Sequence, residues 1–123
     1  MPVTKSILIV DDDIFILDVL AKAFRFHGYK VFMAENGVVG LDIFNKEQID
    51  IVLTDIRMPG LSGKELAIFI RKESPQTKVA VMTGGDGEIG SNLIKDGTAD
   101  HFFLKPFTLS HVCKTLSSAG HAG

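Results

Sequence analysis

Short, unbroken apolar runs alternate along this chain with longer stretches whose apolar residues recur every three or four positions. An unbroken run fits a strand buried on both faces, whereas the longer repeat fits a helix with one buried stripe. The runs fall at residues 7–10, 31–34, 51–54, 79–82 and 101–104, all β-branched or aromatic in character. Successive runs begin 20 to 28 residues apart, which leaves room for a crossover helix between neighbours. Ile14, Leu17, Leu20, Ala21 and Phe24 form the first helical stripe, and Gly28 supplies its stop. Further helices are predicted over residues 37–46, over 63–73 with Leu66, Phe69 and Ile70 inward, and over 109–117 after Thr108 as N-cap. Residues 88–95, with Gly90 among them, give the weakest helical pattern. Strands alternating with helices predict a parallel sheet covered on both faces.

Length and charge narrow the function without naming it. At 123 residues the chain fits one domain with a proper core. A formal net charge of -2 and 23% charged residues leave no basic field for nucleic acid or an anionic membrane. No apolar stretch is long enough to span a bilayer, and no secretory leader pattern opens the chain. The single cysteine, Cys113, has no internal disulfide partner, so the expected location is the cytoplasm. The stretch SSAGHAG at the C-terminus reads as a frayed tail or the start of a linker.

The candidate chemistry lies where the predicted strands end. Asp11 and Asp12 follow the first strand, Asp55 the third, Thr83 the fourth and Lys105 the fifth. In a doubly wound sheet, functional residues gather at the carboxyl ends of the strands, beside the point where the winding reverses. Three carboxylates held close raise one another's pKa and cost stability unless a cation joins them. Hard oxygen donors with room for water suit Mg²⁺, and Mg²⁺ commonly completes its shell with phosphate oxygens. An aspartate can attack phosphorus to form an acyl phosphate, and Asp55 is then the acceptor. Asp13 is instead the expected N-cap of the first helix.

Four motifs in order carry a family resemblance: ILIVDDD, DIRMPGLSG at residues 55–63, VMTGG and FFLKPF. Over roughly residues 5 to 118 the chain resembles the response-regulator receiver domain of two-component signalling. That resemblance implies a three-layer α/β/α, flavodoxin-like fold with five helices and a five-stranded parallel sheet in the order 2-1-3-4-5. It implies a receiver domain over residues 1–118, with 119–123 as a flexible tail or the start of a linker. Asp55 would be phosphorylated by a sensor histidine kinase or a histidine phosphotransfer protein. Asp12 would bind Mg²⁺ (or Mn²⁺) directly, Asp11 would hold a metal-bound water, and Asp55 with the backbone carbonyl of Arg57 would complete the protein ligands. Lys105 would contact the phosphoryl group, with a cis bond between Lys105 and Pro106, and Thr83 would bond a phosphoryl oxygen. Phe102 would be the aromatic switch that follows Thr83; the family more often has tyrosine there, and phenylalanine has no hydroxyl to anchor an outward state. Output would pass to an effector domain or protein through the fourth helix, fifth strand and fifth helix, the domain being a monomer or a phosphorylation-dependent dimer. No turnover enzyme is implied beyond the domain's own phosphoryl transfer and slow autodephosphorylation.

Two other readings compete from the same residues. A strand ending in Asp-x-Asp resembles the haloacid-dehalogenase phosphatases, but their pattern continues with Thr or Val where this chain has Phe15, and no length remains for a cap domain. A phosphorylation-independent interaction module on the same fold is the second alternative, since fold does not dictate function. Residues 85–90 satisfy G-x-G-x-x-G, yet they follow the fourth strand and carry Asp86 and Glu88 where a pyrophosphate would be repelled. The glycines of that segment read instead as a mobile loop headed by Thr83, ordered on phosphorylation. His27, His101, His111 and His121 lack metal-ligand spacing.

Overall fold

A computed structural model describes residues 4–85 and 87–119 of the chain. The chain order is β1 (Ser6–Val10), α1 (Ile14–Phe26), β2 (Lys30–Ala34), α2 (Gly37–Lys46), β3 (Ile51–Asp55), α3 (Gly63–Glu73), β4 (Lys78–Thr83), α4 (Gly87–Lys95), β5 (His101–Leu104) and α5 (Leu109–Ala119). All five strands are parallel in the order β2-β1-β3-β4-β5, so the winding reverses between β1 and β3. This is the flavodoxin-like, doubly wound sheet expected from the sequence.

The central strands are apolar throughout because both of their faces are covered. Ile7, Ile9, Ile51, Leu53, Ala80 and Met82 pack with α1 and α5, while Leu8, Val10, Val52, Val79 and Val81 pack on the other face with α3 and α4. Alternation divides the β5 aromatics likewise: Phe103 joins the first cluster and Phe102 lies against the second. No helix of the described residues is long and apolar enough to cross a membrane.

Local capping explains most helix boundaries. Asp13 caps α1, its carboxylate accepting from the Phe15 and Ile16 N–H groups, and Gly28 adopts φ +89° just beyond the helix end. Thr108 Oγ1 accepts from the His111 N–H at 3.1 Å, which caps α5 as expected. Ser62 and Glu65 form a reciprocal capping box on α3, an arrangement the apolar spacing does not reveal. The end of α5 lies at Ala119; residues 120–123 of the expected tail, and His121 with them, are outside the described residues.

The weakest helical pattern is nevertheless a helix, and this revises the glycine-loop reading. Gly87 and Gly90 belong to α4, leaving Gly84 and Gly85 in the connection after β4, with Asp86 outside the described residues. Gly90 is buried against the Phe102 ring, so close packing explains that glycine where loop mobility does not.

Candidate functional site

The parallel register brings the carboxyl ends of β1, β3, β4 and β5 to one edge. Val10 pairs with Thr54, Asp55 pairs with Met82, and Thr83 pairs with Leu104, so the next residues of β1 and β5 reach the same pole. Asp11, Asp12 and Asp55 each offer a carboxylate oxygen there, all within 4.8 Å of one another. Asp11 is fully buried, Asp55 is 7% exposed and Asp12 sits at the exposed rim.

Each carboxylate is held differently. The Asp11 side chain accepts from the Asp13 N–H at 2.9 Å and from Lys105 Nζ at 2.9 Å, so both of its oxygens are engaged. Lys105 Nζ also approaches Asp55 Oδ1 at 3.5 Å. The Lys105–Pro106 peptide is cis, and the Lys105 N–H donates to the Thr83 carbonyl at 2.8 Å, which ties the lysine to the end of β4. Among the described residues the Asp12 carboxylate has no protein partner.

The loop after Asp55 is fixed by close backbone packing. The Ile56 N–H donates to the Met82 carbonyl at 2.9 Å, and the Gly63 N–H donates to the Ile56 carbonyl at 2.8 Å. A Cβ on Gly63 would lie 2.7 Å from the Asp55 carbonyl carbon and closer still to its oxygen, so only glycine allows α3 to start there. Gly60, at φ +78°, lets the intervening turn close. Gly37 plays a supporting part from α2, where a Cβ would come within 2.9 Å of Leu61 Cβ. These supports escape a reading of charge and spacing; the glycine at the end of DIRMPGLSG was the available signal.

The electrostatics of the cluster are unbalanced, with one ammonium facing three carboxylates. Burial pushes the Asp55 carboxyl up to about 6; Lys105 works against that rise, while Asp11 and Asp12 add to it. Burial opposes the Lys105 charge, yet the hydrogen bond and attraction of Asp11, with Asp55 beside it, hold the ammonium above its ordinary range. Thr83 Oγ1 is buried and has no hydrogen-bond partner. A buried hydroxyl without a partner is costly and points to a missing one. Hard oxygen donors, surplus negative charge and an exposed third carboxylate fit a divalent cation such as Mg²⁺.

Comparison with known proteins agrees with this geometry. The model of the response regulator receiver domain matches residues 7–117. Sporulation initiation phosphotransferase F of Bacillus subtilis is 35% identical over 109 residues, covering 88% of this chain and 87% of that protein. Response regulator MprA of a Mycobacterium species is 34% identical over 112 residues, covering 91% of this chain but 48% of the relative, so this chain spans about half of that protein's length. Among solved structures, a CheY-like receiver domain protein from Methanospirillum hungatei superposes with a TM-score of 0.89 at 31% identity, covering 95% of this chain and 94% of that one. Response regulator TrrA of Thermotoga maritima, solved in complex with Mg(2+)-BeF, gives a TM-score of 0.84 at 31% identity, covering 94% and 98%. By its fold, its strand-end cluster and these relatives, the chain belongs to the response regulator receiver domains of two-component systems.

Proposed function

We propose that Asp55 accepts a phosphoryl group from a phosphohistidine on a sensor histidine kinase or histidine phosphotransfer protein. The observation that carries this reading is the strand-end constellation: a buried Asp55 facing Lys105, two further carboxylates, and a Thr83 hydroxyl with no partner. An Asp55 oxygen attacks phosphorus, forming the P–O bond of an acyl phosphate as the P–N bond breaks and the imidazole leaves. Lys105 stabilises charge on the transferring group, and Thr83 donates its hydroxyl to a phosphoryl oxygen once one is within reach.

Asp12 and Asp55 would hold Mg²⁺ directly, with the Arg57 carbonyl, while Asp11, both of whose oxygens are already engaged, would act through a bound water. A Mg²⁺ ion bound there supplies neutralisation of the carboxylate and phosphoryl charge. The similarity to a structure in complex with Mg(2+)-BeF, together with the Asp11, Asp12 and Asp55 cluster, supports a Mg²⁺ site at this pole. Signalling then runs from Thr83 to Phe102 and on to the surface of α4, β5 and α5, where an effector domain or protein, or a second copy of the chain, is engaged. The domain performs its own phosphoryl transfer and slow dephosphorylation and turns over no separate substrate.

The test is covalent labelling by a cognate kinase, or by acetyl phosphate with Mg²⁺. Asp55→Asn abolishes a hydroxylamine-labile phosphoryl adduct; an adduct that persists on another residue contradicts the assignment.

A further inference from the structure

Phe102 is lodged in a slot whose floor is glycine. A Cβ on Gly90 would lie 2.7 Å from Phe102 Cγ and closer still to Cδ1 and Cε1, a separation that non-bonded carbons do not tolerate. One turn earlier, a Cβ on Gly87 would meet Phe102 Cζ at 3.7 Å, an ordinary contact, with Leu104 also 3.7 Å away. The ring therefore lies along α4 from Gly87 to Gly90, and only the second position demands the absence of a side chain. Gly90 is buried in mid-helix, where glycine costs about 1 kcal/mol relative to alanine. A mid-helix glycine with no turn to make has its explanation in the ring it admits.

The same ring connects to the phosphoryl site through the sheet. Val81 pairs with Phe102, and Thr83 with Leu104. Side chains two apart on a strand share a face, so Thr83 lies on the face of β4 that Val81 and Phe102 occupy. Next to Phe102 are thus an unsatisfied hydroxyl at one end and a glycine slot at the other.

We propose that Gly90 keys Phe102 to α4, so that helix and ring hold their positions as an interlocked pair and the presentation of the α4–β5 surface is fixed by the occupied slot. Exposed Ile94 and Leu104 lie on that surface, which gives it an apolar contact to offer or withdraw. This rests on the phosphoacceptor reading for its biological use but not for its mechanics: the steric relation exists without any phosphoryl group. A Cβ at position 90 expels the ring or displaces the helix, and it does so only while the ring is present.

Amide exchange across residues 87–95, measured without phosphorylation in wild type, Gly90→Ala, Phe102→Ala and the double variant, tests the interlock. Gly90→Ala should speed α4 exchange by roughly ten- to a hundredfold, the scale of an overpacked core contact, despite alanine's better helix propensity. In the Phe102→Ala background the same substitution should slow exchange or leave it unchanged. Should Gly90→Ala fail to fold, the double variant folds, because the ring's volume is vacated. Equal acceleration in both backgrounds, no acceleration in either, or a double variant that is unfolded overturns the proposal. Repeating the pair in Asp55→Asn separates the two readings, since the interlock persists there whatever labelling shows.

Discussion

The two poles of the sheet treat their charges in opposite ways. At the amino pole, Arg71 donates to the Thr98 carbonyl at 3.3 Å, the Pro75 carbonyl at 2.8 Å and the Thr77 carbonyl at 3.4 Å, and pairs with Asp100. Asp100 in turn accepts from the Val79 N–H at 2.9 Å, while Asp50 accepts from the Ser6 N–H at 2.8 Å and its hydroxyl at 3.2 Å. Arg71, Asp100 and Asp50 are all partnered, and the Arg71–Asp100 network ties α3, β4 and the turn before β5 together. At the carboxyl pole Lys105 serves both Asp11 and Asp55, Asp12 is left without an ion pair among the described residues, Asp55 is pushed up to about 6 and Thr83 has no partner. The same fold thus carries a satisfied end that holds it and an unsatisfied end held ready for ligands.

Neutralising substitutions should therefore act with opposite sign at the two poles. The largest effect is expected at Arg71: Arg71→Met leaves Asp100 and three carbonyls short of a donor and costs about 2–3 kcal/mol in urea unfolding. A loss under about 0.5 kcal/mol would break the contrast from that side. Asp55→Asn should do the reverse, raising metal-free stability at pH 7.5 by about 2 kcal/mol while abolishing labelling.

The pH dependence sharpens the same point. The folded carboxyl of Asp55 titrates near 6, above its ordinary 3.8, so the folded state binds the proton more tightly than the unfolded state does. Its contribution to stability is full below about pH 4 and is lost as pH rises through about 6. Metal-free wild type should lose stability over that window relative to Asp55→Asn, and parallel curves for the two proteins would contradict the assignment. The smallest effect is expected at Thr83: Thr83→Val removes a buried hydroxyl that has no partner, and stability should be unchanged or rise by up to about 1 kcal/mol. A loss of 2 kcal/mol would mean that the hydroxyl is satisfied in the resting protein.

The strands and four of the helices were legible because the burial of a parallel sheet writes unbroken apolar runs, and Asp13, Gly28 and Thr108 mark helix ends by local chemistry. The meeting of Asp11, Asp12, Asp55, Thr83 and Lys105 was legible too, since parallel strands deliver their ends to one edge. What stayed hidden depends on long-range partners. Arg71 and Asp100 are 29 residues apart and look like ordinary surface charges in the sequence. Gly90 reads as a helix breaker until Phe102 is found against it, and nothing in the helical pattern of residues 63–73 shows that the Asp55 carbonyl lies beneath Gly63.

The central claim is that the carboxyl pole is a cation seat whose charge imbalance is relieved on binding. Thermal unfolding with and without 10 mM Mg²⁺ tests it most directly, because a ligand that binds only the folded state stabilises by mass action, by about 1.4 kcal/mol at tenfold saturation. For a domain of this size that is a rise of roughly 3–7 °C. Wild type should show it and Asp12→Asn should lose most of it, while Arg71→Met, though less stable, keeps it in full. A melting temperature unmoved by Mg²⁺, or an equal rise in Asp12→Asn, would contradict the account.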